Sequence, residues 1–159
     1  MEQLIQMIKE LLASTVALKY KAQGYHWNVE TDDFPQYHEF FSEIYEDYDS
    51  AVDPFAEWIR MIDINSYAPF KLSRFTQLSF IPETEVSADH EAMAADLKIS
   101  NDMMIPKLIA AVDMANALKQ YGLANFFADR QTMHQKWSWQ LGTLVRSDME
   151  EPAQPTTGA

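Results

Sequence analysis

Two of the four histidines and one closely spaced pair of acids are the residues of this chain whose types and positions could do chemistry together. His26 falls near the end of one helical stretch and His38 in the first turns of the next, with Asp53 and Glu57 further along that second stretch. Asp53 and Glu57 are four residues apart, so on a helix they share a face. Imidazole nitrogen combined with carboxylate oxygen suits iron and related divalent metals. Fifteen residues separate His38 from Asp53, about 22 Å along a helix and only about 60° around it. On a continuous helix the two cannot hold one ion within one chain, although they point roughly the same way. If two copies of that helix packed antiparallel about a two-fold axis, His38 of one would approach Asp53 and Glu57 of the other, giving two such sites per dimer.

Blander readings compete with this one. A single histidine on a helix flank is more often a hydrogen-bonded core residue than a ligand, and acids spaced four apart are usually a solvated face. His90, beside Asp89 and Glu91, reads as surface, and His134 as a packed or hydrogen-bonded helix residue. Met93, Met103, Met104 and Met114 read as core fillers. Neither Glu-x-x-His nor His-Glu-x-x-His occurs, so the usual metal motifs within one helix bundle are not written here.

The elements that must position these groups are helical almost throughout. Leu4, Ile8, Leu11, Thr15, Leu18 and Ala22 recur at helical spacing and predict a helix from about residue 3 to 29. Glu30-Thr31-Asp32-Asp33 breaks it, with Asp32 or Asp33 as a cap and Pro35 in the first turn of the next helix. That second helix carries one apolar face through Tyr37, Phe41, Ile44, Tyr48, Ala51, Phe55 and Ile59. A second line runs through Phe34, His38, Tyr45, Val52 and Ala56. One stripe suffices for a monomeric bundle; the second predicts burial against a further copy. From Asp63 to about Val86 the periodicity fails, apart from a short helix at Lys71–Leu78 between Pro69 and Pro82. Ser87 with Asp89 starts a third helix, bent by Pro106 and stopped by Gly122. Phe126, Met133, Trp137, Leu141 and Leu144 carry a fourth to about Asp148. The expectation is an all-α, ferritin-like four-helix bundle over residues 1–148 with a short helix in the crossover between the second and third helices. Residues 149–159 are expected to form a flexible polar tail.

Composition narrows the partners. The 159 residues carry 24 Asp plus Glu against 12 Lys plus Arg, a net charge of −12 that disfavours gripping nucleic acid. Cysteine is absent, which excludes disulfides, iron–sulfur clusters, thiolate nucleophiles and Cys-bound zinc. No apolar run reaches the length of a membrane span, and MEQLIQMIKE does not read as a signal peptide, so a cytoplasmic location without membrane contact is expected.

Between residues 26 and 59 the pattern becomes specific. His26-Trp27-Asn28-Val29, Phe34, His38-Glu39, Tyr45 and Asp53-x-x-Ala56-Glu57-x-Ile59 closely resemble the signature of the Dps family, the mini-ferritins named for DNA protection during starvation. Asn125 to Leu141 resembles that family's fourth helix. The resemblance implies a hollow dodecamer built from two-fold dimers. It further implies Fe(II) oxidation, preferably by hydrogen peroxide, at inter-subunit sites, and storage of ferric mineral. Carried over position by position, His26 and His38 match the imidazole ligands, Asp53 and Glu57 the carboxylates, and Trp27 a redox neighbour. Several positions depart from the family pattern, among them Glu30-Thr31, which follow Val29 where the family has Lys-Gly. Ser42 stands where a carboxylate is usual, which leaves the second metal position to Glu39, Glu43 or water. Pro54 follows Asp53, and Trp58 replaces an Arg. A shell with degraded ferroxidase activity and a nucleoid-binding protein are the alternatives. Twelve copies would carry about −144 formal charges, which opposes DNA binding.

Overall fold

The computed structural model describes residues 1–145 of the 159. The expected polar tail at 149–159 and the end of the fourth helix at Asp148 lie outside the described residues. Six helices occur among them: α1 (Glu2–Asn28), α2 (Phe34–Ile62), α3 (Leu72–Leu78), α4 (His90–Asp102), α5 (Met104–Ala117) and α6 (Tyr121–Val145). α1 pairs with α2, and α4 and α5 together pair with α6, as the two halves of a four-helix bundle. α3 lies in the long crossover and packs on α1. The crossover ends beside its origin: the Glu30 N–H donates to the Ala88 carbonyl at 2.8 Å, so α4 starts at the same end of the bundle as α2 and runs parallel to it.

Local chemistry accounts for the boundaries. Asp89 caps α4 with its carboxylate, accepting from the Ala92 N–H at 2.9 Å. Asp33 occupies the N-cap of α2, but its backbone carbonyl, not its side chain, receives the Gln36 and Tyr37 N–H groups. The expected third helix is two. Pro106 has no N–H to give the Asp102 carbonyl, and the helix is interrupted at Met103, which keeps right-handed angles (φ −63°, ψ −24°). Gly122 is not the stop. α5 ends through Lys119, which takes φ 59°, while the Lys119 and Gln120 N–H groups reach the Asn116 and Ala115 carbonyls. Gly122 instead lies in the first turn of α6, where a β-carbon would meet the Trp58 ring at 3.2 Å.

The core follows the predicted faces of α1 and α2: Leu4, Ile8, Leu11, Leu18, Phe41, Ile44, Tyr48, Phe55 and Ile59 are fully buried. Removing a side chain of this size from water contributes about 1.5–3 kcal/mol. In α6 the deepest line is Leu123, Phe127, Arg130, His134, Trp137 and Leu141, displaced from the apolar line of the sequence because it includes two polar residues. The second line of α2 is only half covered within the chain: Tyr45, Val52 and Ala56 are half-buried on the margin of the core, and Phe34 is exposed.

Candidate metal centre

The last turn of α1 and the first turns of α2 bring His26 and His38 face to face. Their rings stack with centroids 3.7 Å apart. His26 Nδ1 lies 2.6 Å from the His38 carbonyl oxygen, and His38 Nδ1 lies 2.7 Å from the His26 carbonyl oxygen. A carbonyl can only accept, so each Nδ1 carries the proton and donates. The lone pair of each neutral imidazole is thereby left on Nε2. The His26 carbonyl is one of the orphans of the α1 terminus, and the bond from His38 satisfies it. Phe34 stacks on the outer face of His38 at 4.8 Å, and Tyr45 meets His26 edge-on at 5.3 Å. The imidazoles are thus held from both sides with their tautomers fixed, an arrangement that orients metal ligands.

Asp53 and Glu57 are exposed on the outer face of α2. α2 runs unbroken through Pro54, so the spacing of about 22 Å between His38 and Asp53 holds in the fold. The structure brings the two histidines together and keeps both carboxylates away from them within one chain. Among the described residues, no group of three or more His, Asp or Glu side chains converges within the chain. Trp27, beside His26, is 60% exposed and turned away from the core. Ser42 bonds Glu46 at 3.3 Å, and Lys19 of α1 pairs with Asp49 of α2 at 2.6 Å.

A second polar cluster lies inside the bundle. Arg130 grips Asp47 with two bonds of 2.9 Å, and Trp137 Nε1 donates to the same carboxylate at 2.8 Å. Burial pushes the Asp47 carboxyl up, but the bonds from Arg130, its charge and the Trp137 N–H outweigh that and leave it below the ordinary range. Tyr48 and His134 Nδ1 both donate to Asn101 Oδ1, and Asn101 Nδ2 donates back to the His134 carbonyl. Sequence reasoning missed this cluster. Its signal was Arg130 four residues after Phe126 and three after Phe127, in an otherwise apolar stripe. With Asp47 neutralised by Arg130, the cluster is a polar clamp between helices. A third group ties the crossover to the bundle: Asp96 accepts from Lys21, Tyr25 and Thr84 at 2.5, 2.6 and 2.7 Å.

A ferritin-like domain model matches residues 5–149, nearly the whole chain. The Dps protein of Vibrio cholerae, described as a member of a broad superfamily of ferritin-like diiron-carboxylate proteins, superposes with a TM-score of 0.84 at 22% identity over 91% of this chain and 89% of its own. DNA protection during starvation protein 2 of Bacillus anthracis is 23% identical over 91% of this chain and 97% of its length. The chain belongs to the Dps family of ferritin-like proteins. A low temperature-induced protein of Nostoc, 26% identical over 96% of this Dps-family chain and 87% of its own, is a further relative. No helix among the described residues is long and apolar enough to cross a membrane.

Proposed function

We propose that this chain is an iron-handling mini-ferritin that oxidises Fe(II) at sites shared between two copies and stores the ferric product inside a hollow shell. Membership of the ferritin-like Dps family supports an iron-storage or DNA-protection role and, at a general level, oxidoreductase chemistry on iron. The observation that carries the reading is the His26–His38 stack, whose two Nε2 lone pairs are set free by the reciprocal Nδ1 bonds.

His26 and His38 of one subunit bind Fe(II) through these nitrogens. The partner's Asp53 and the partner's Glu57 supply the oxygen ligands, whose negative charge favours the ferric state. Hydrogen peroxide is the electron acceptor: two Fe(II) each give one electron, and peroxide takes two electrons and two protons to become two waters. Trp27 stands beside the site as a sacrificial donor for stray oxidising equivalents. The product collects against acidic surfaces, and consuming iron and peroxide together limits oxidative damage. With −12 net charge per chain, the DNA-binding reading is disfavoured.

Mixed assembly tests the shared site. One parent carries His26→Ala and His38→Ala, the other Asp53→Ala and Glu57→Ala. Each parent alone has no intact site. Co-assembly restores one of the two sites in every hybrid dimer, so random mixing recovers roughly a quarter of wild-type sites, read as peroxide-driven Fe(II) oxidation. No recovery, with assembly and folding intact, overturns the shared site; a retarded band with DNA at moderate salt overturns the assignment of partners.

A further inference from the structure

We propose that Tyr25 is a reversible one-electron donor to the shared site and that Asp96 holds its proton while it is oxidised. This rests on the shared-site reading above. Tyr25 directly precedes His26 in α1, so a single peptide unit links the two residues. It is 7% exposed, and its ring meets Phe41 edge-on at 5.8 Å. Its hydroxyl donates to Asp96 Oδ2 at 2.6 Å. Lys21 and Thr84 donate to the same carboxylate at 2.5 and 2.7 Å. Burial pushes the Asp96 carboxyl up, but these bonds and the Lys21 charge outweigh it, so the group stays an ionised base. A phenol gives up an electron reluctantly when its proton has nowhere to go, because its cation radical is a strong acid. A base already hydrogen-bonded to the O–H removes that obstacle. Protonating Asp96 leaves the Lys21 ammonium, 8% exposed, without its counter-ion, which favours the proton's return once an electron comes back.

Peroxide that meets a single Fe(II) takes one electron and becomes hydroxide and a hydroxyl radical. Tyr25 supplies the second electron through its covalent link to His26. The hydroxyl radical becomes hydroxide, the phenol O–H breaks, and its proton passes to Asp96. The next Fe(II) returns an electron to the tyrosyl radical, and the proton moves back from Asp96 to the phenol oxygen. Over the cycle two Fe(II) become two Fe(III) and one peroxide becomes two hydroxides, with no hydroxyl radical released. Two irons oxidised in turn thus do the work of two oxidised together. Trp27, 60% exposed, is consumed by stray oxidant. A buried phenol with its proton stored one hydrogen bond away is regenerated.

Rapid freeze-quench electron paramagnetic resonance of the assembled full chain tests this, with one Fe(II) per His26–His38 pair and excess hydrogen peroxide. Wild type gives a tyrosyl signal that narrows when the tyrosines are ring-deuterated and decays when more Fe(II) is added. Tyr25→Phe, which keeps the ring, abolishes the signal and raises the yield of a hydroxyl spin-trap adduct. Asp96→Asn combined with Lys21→Met, which removes base and cation together, cuts the signal by about 100-fold. Asp96→Glu and Tyr45→Phe both keep it. A signal that survives Tyr25→Phe, vanishes in Tyr45→Phe or fails to narrow overturns the donor assignment, as does its absence from a wild type that oxidises Fe(II). A full signal in the Asp96→Asn, Lys21→Met variant overturns the role of Asp96. Peroxide-driven Fe(II) oxidation that persists in His38→Ala, or is missing in wild type, overturns the shared-site reading instead.

Discussion

His26 and His38 hold each other: each ring donates its Nδ1 proton to the other's backbone carbonyl while the two imidazoles stack 3.7 Å apart. The bonds cross from the end of α1 to the start of α2, so the site is built by the turn that joins them. Replacing the His38 ring removes the stack and the donor to the terminal His26 carbonyl, while the acceptor for His26 Nδ1, a backbone carbonyl, remains. His38→Ala is expected to lower Co(II) affinity by about 10–100-fold. Far-UV circular dichroism of the variant should match wild type. Unchanged affinity would remove the pair from the metal chemistry.

Asp47 and Arg130 form a buried pair, with 15% and 8% of their side chains exposed. Removing one member leaves the other charged and without its partner. Arg130→Met is expected to cost about 3–5 kcal/mol in urea unfolding. The Asp47→Leu, Arg130→Met double variant should lose clearly less than the two single losses added, because no unpaired charge is left behind. Strict additivity would contradict the clamp.

Acid should weaken the fold in a defined window. Burial first, and then the positive charge of Arg130, push the folded-state pKa of His134 down to about 3 from 6.5. The unfolded chain therefore takes up this proton first, and stability falls by up to about 1.4 kcal/mol per pH unit as pH drops from about 6.5 to 3. Asp47, also held low, adds a loss as pH falls below its ordinary 3.8. Urea midpoints between about pH 7 and 4 should slope accordingly, and His134→Gln should flatten the slope. An equal slope in the variant assigns the effect elsewhere.

Lys119 adopts φ 59°, a left-handed conformation that costs a side chain and suits glycine. Lys119→Gly is expected to stabilise the chain by about 0.5–1 kcal/mol, read as a rise in the unfolding midpoint. A fall would show that the side chain contributes more than the backbone conformation costs.

The bundle was legible because α1 and α2 follow helical periodicity: the positions read from the sequence of α1, Leu4, Ile8, Leu11, Thr15, Leu18 and Ala22, are all buried. His26 and His38 were legible as chemistry by type and spacing, but not as a stack, since their contact depends on how the turn at residues 29–33 returns the chain. The interior of α6 was not legible. Periodicity admits apolar residues to the core, whereas Arg130 and His134 enter because Asp47 and Asn101 lie opposite them, 83 and 33 residues away. Gly122 misled as a stop because a glycine that makes room for Trp58 looks, in sequence, like one that ends a helix.

The Asp47–Arg130 clamp also bears on how the chain is made. Asp47 lies on the inner side of α2, but its counter-ion is the 83rd residue after it. At a synthesis rate of roughly 5–20 residues per second, Arg130 follows by about 4–17 s. Once α4 and α5 have been made, and until Arg130 follows, closing α1 and α2 against them would bury a carboxylate with nothing to neutralise it. The early hairpin therefore stays hydrated along one edge until the last helix leaves the ribosome, and the bundle locks only when the whole chain has been synthesised.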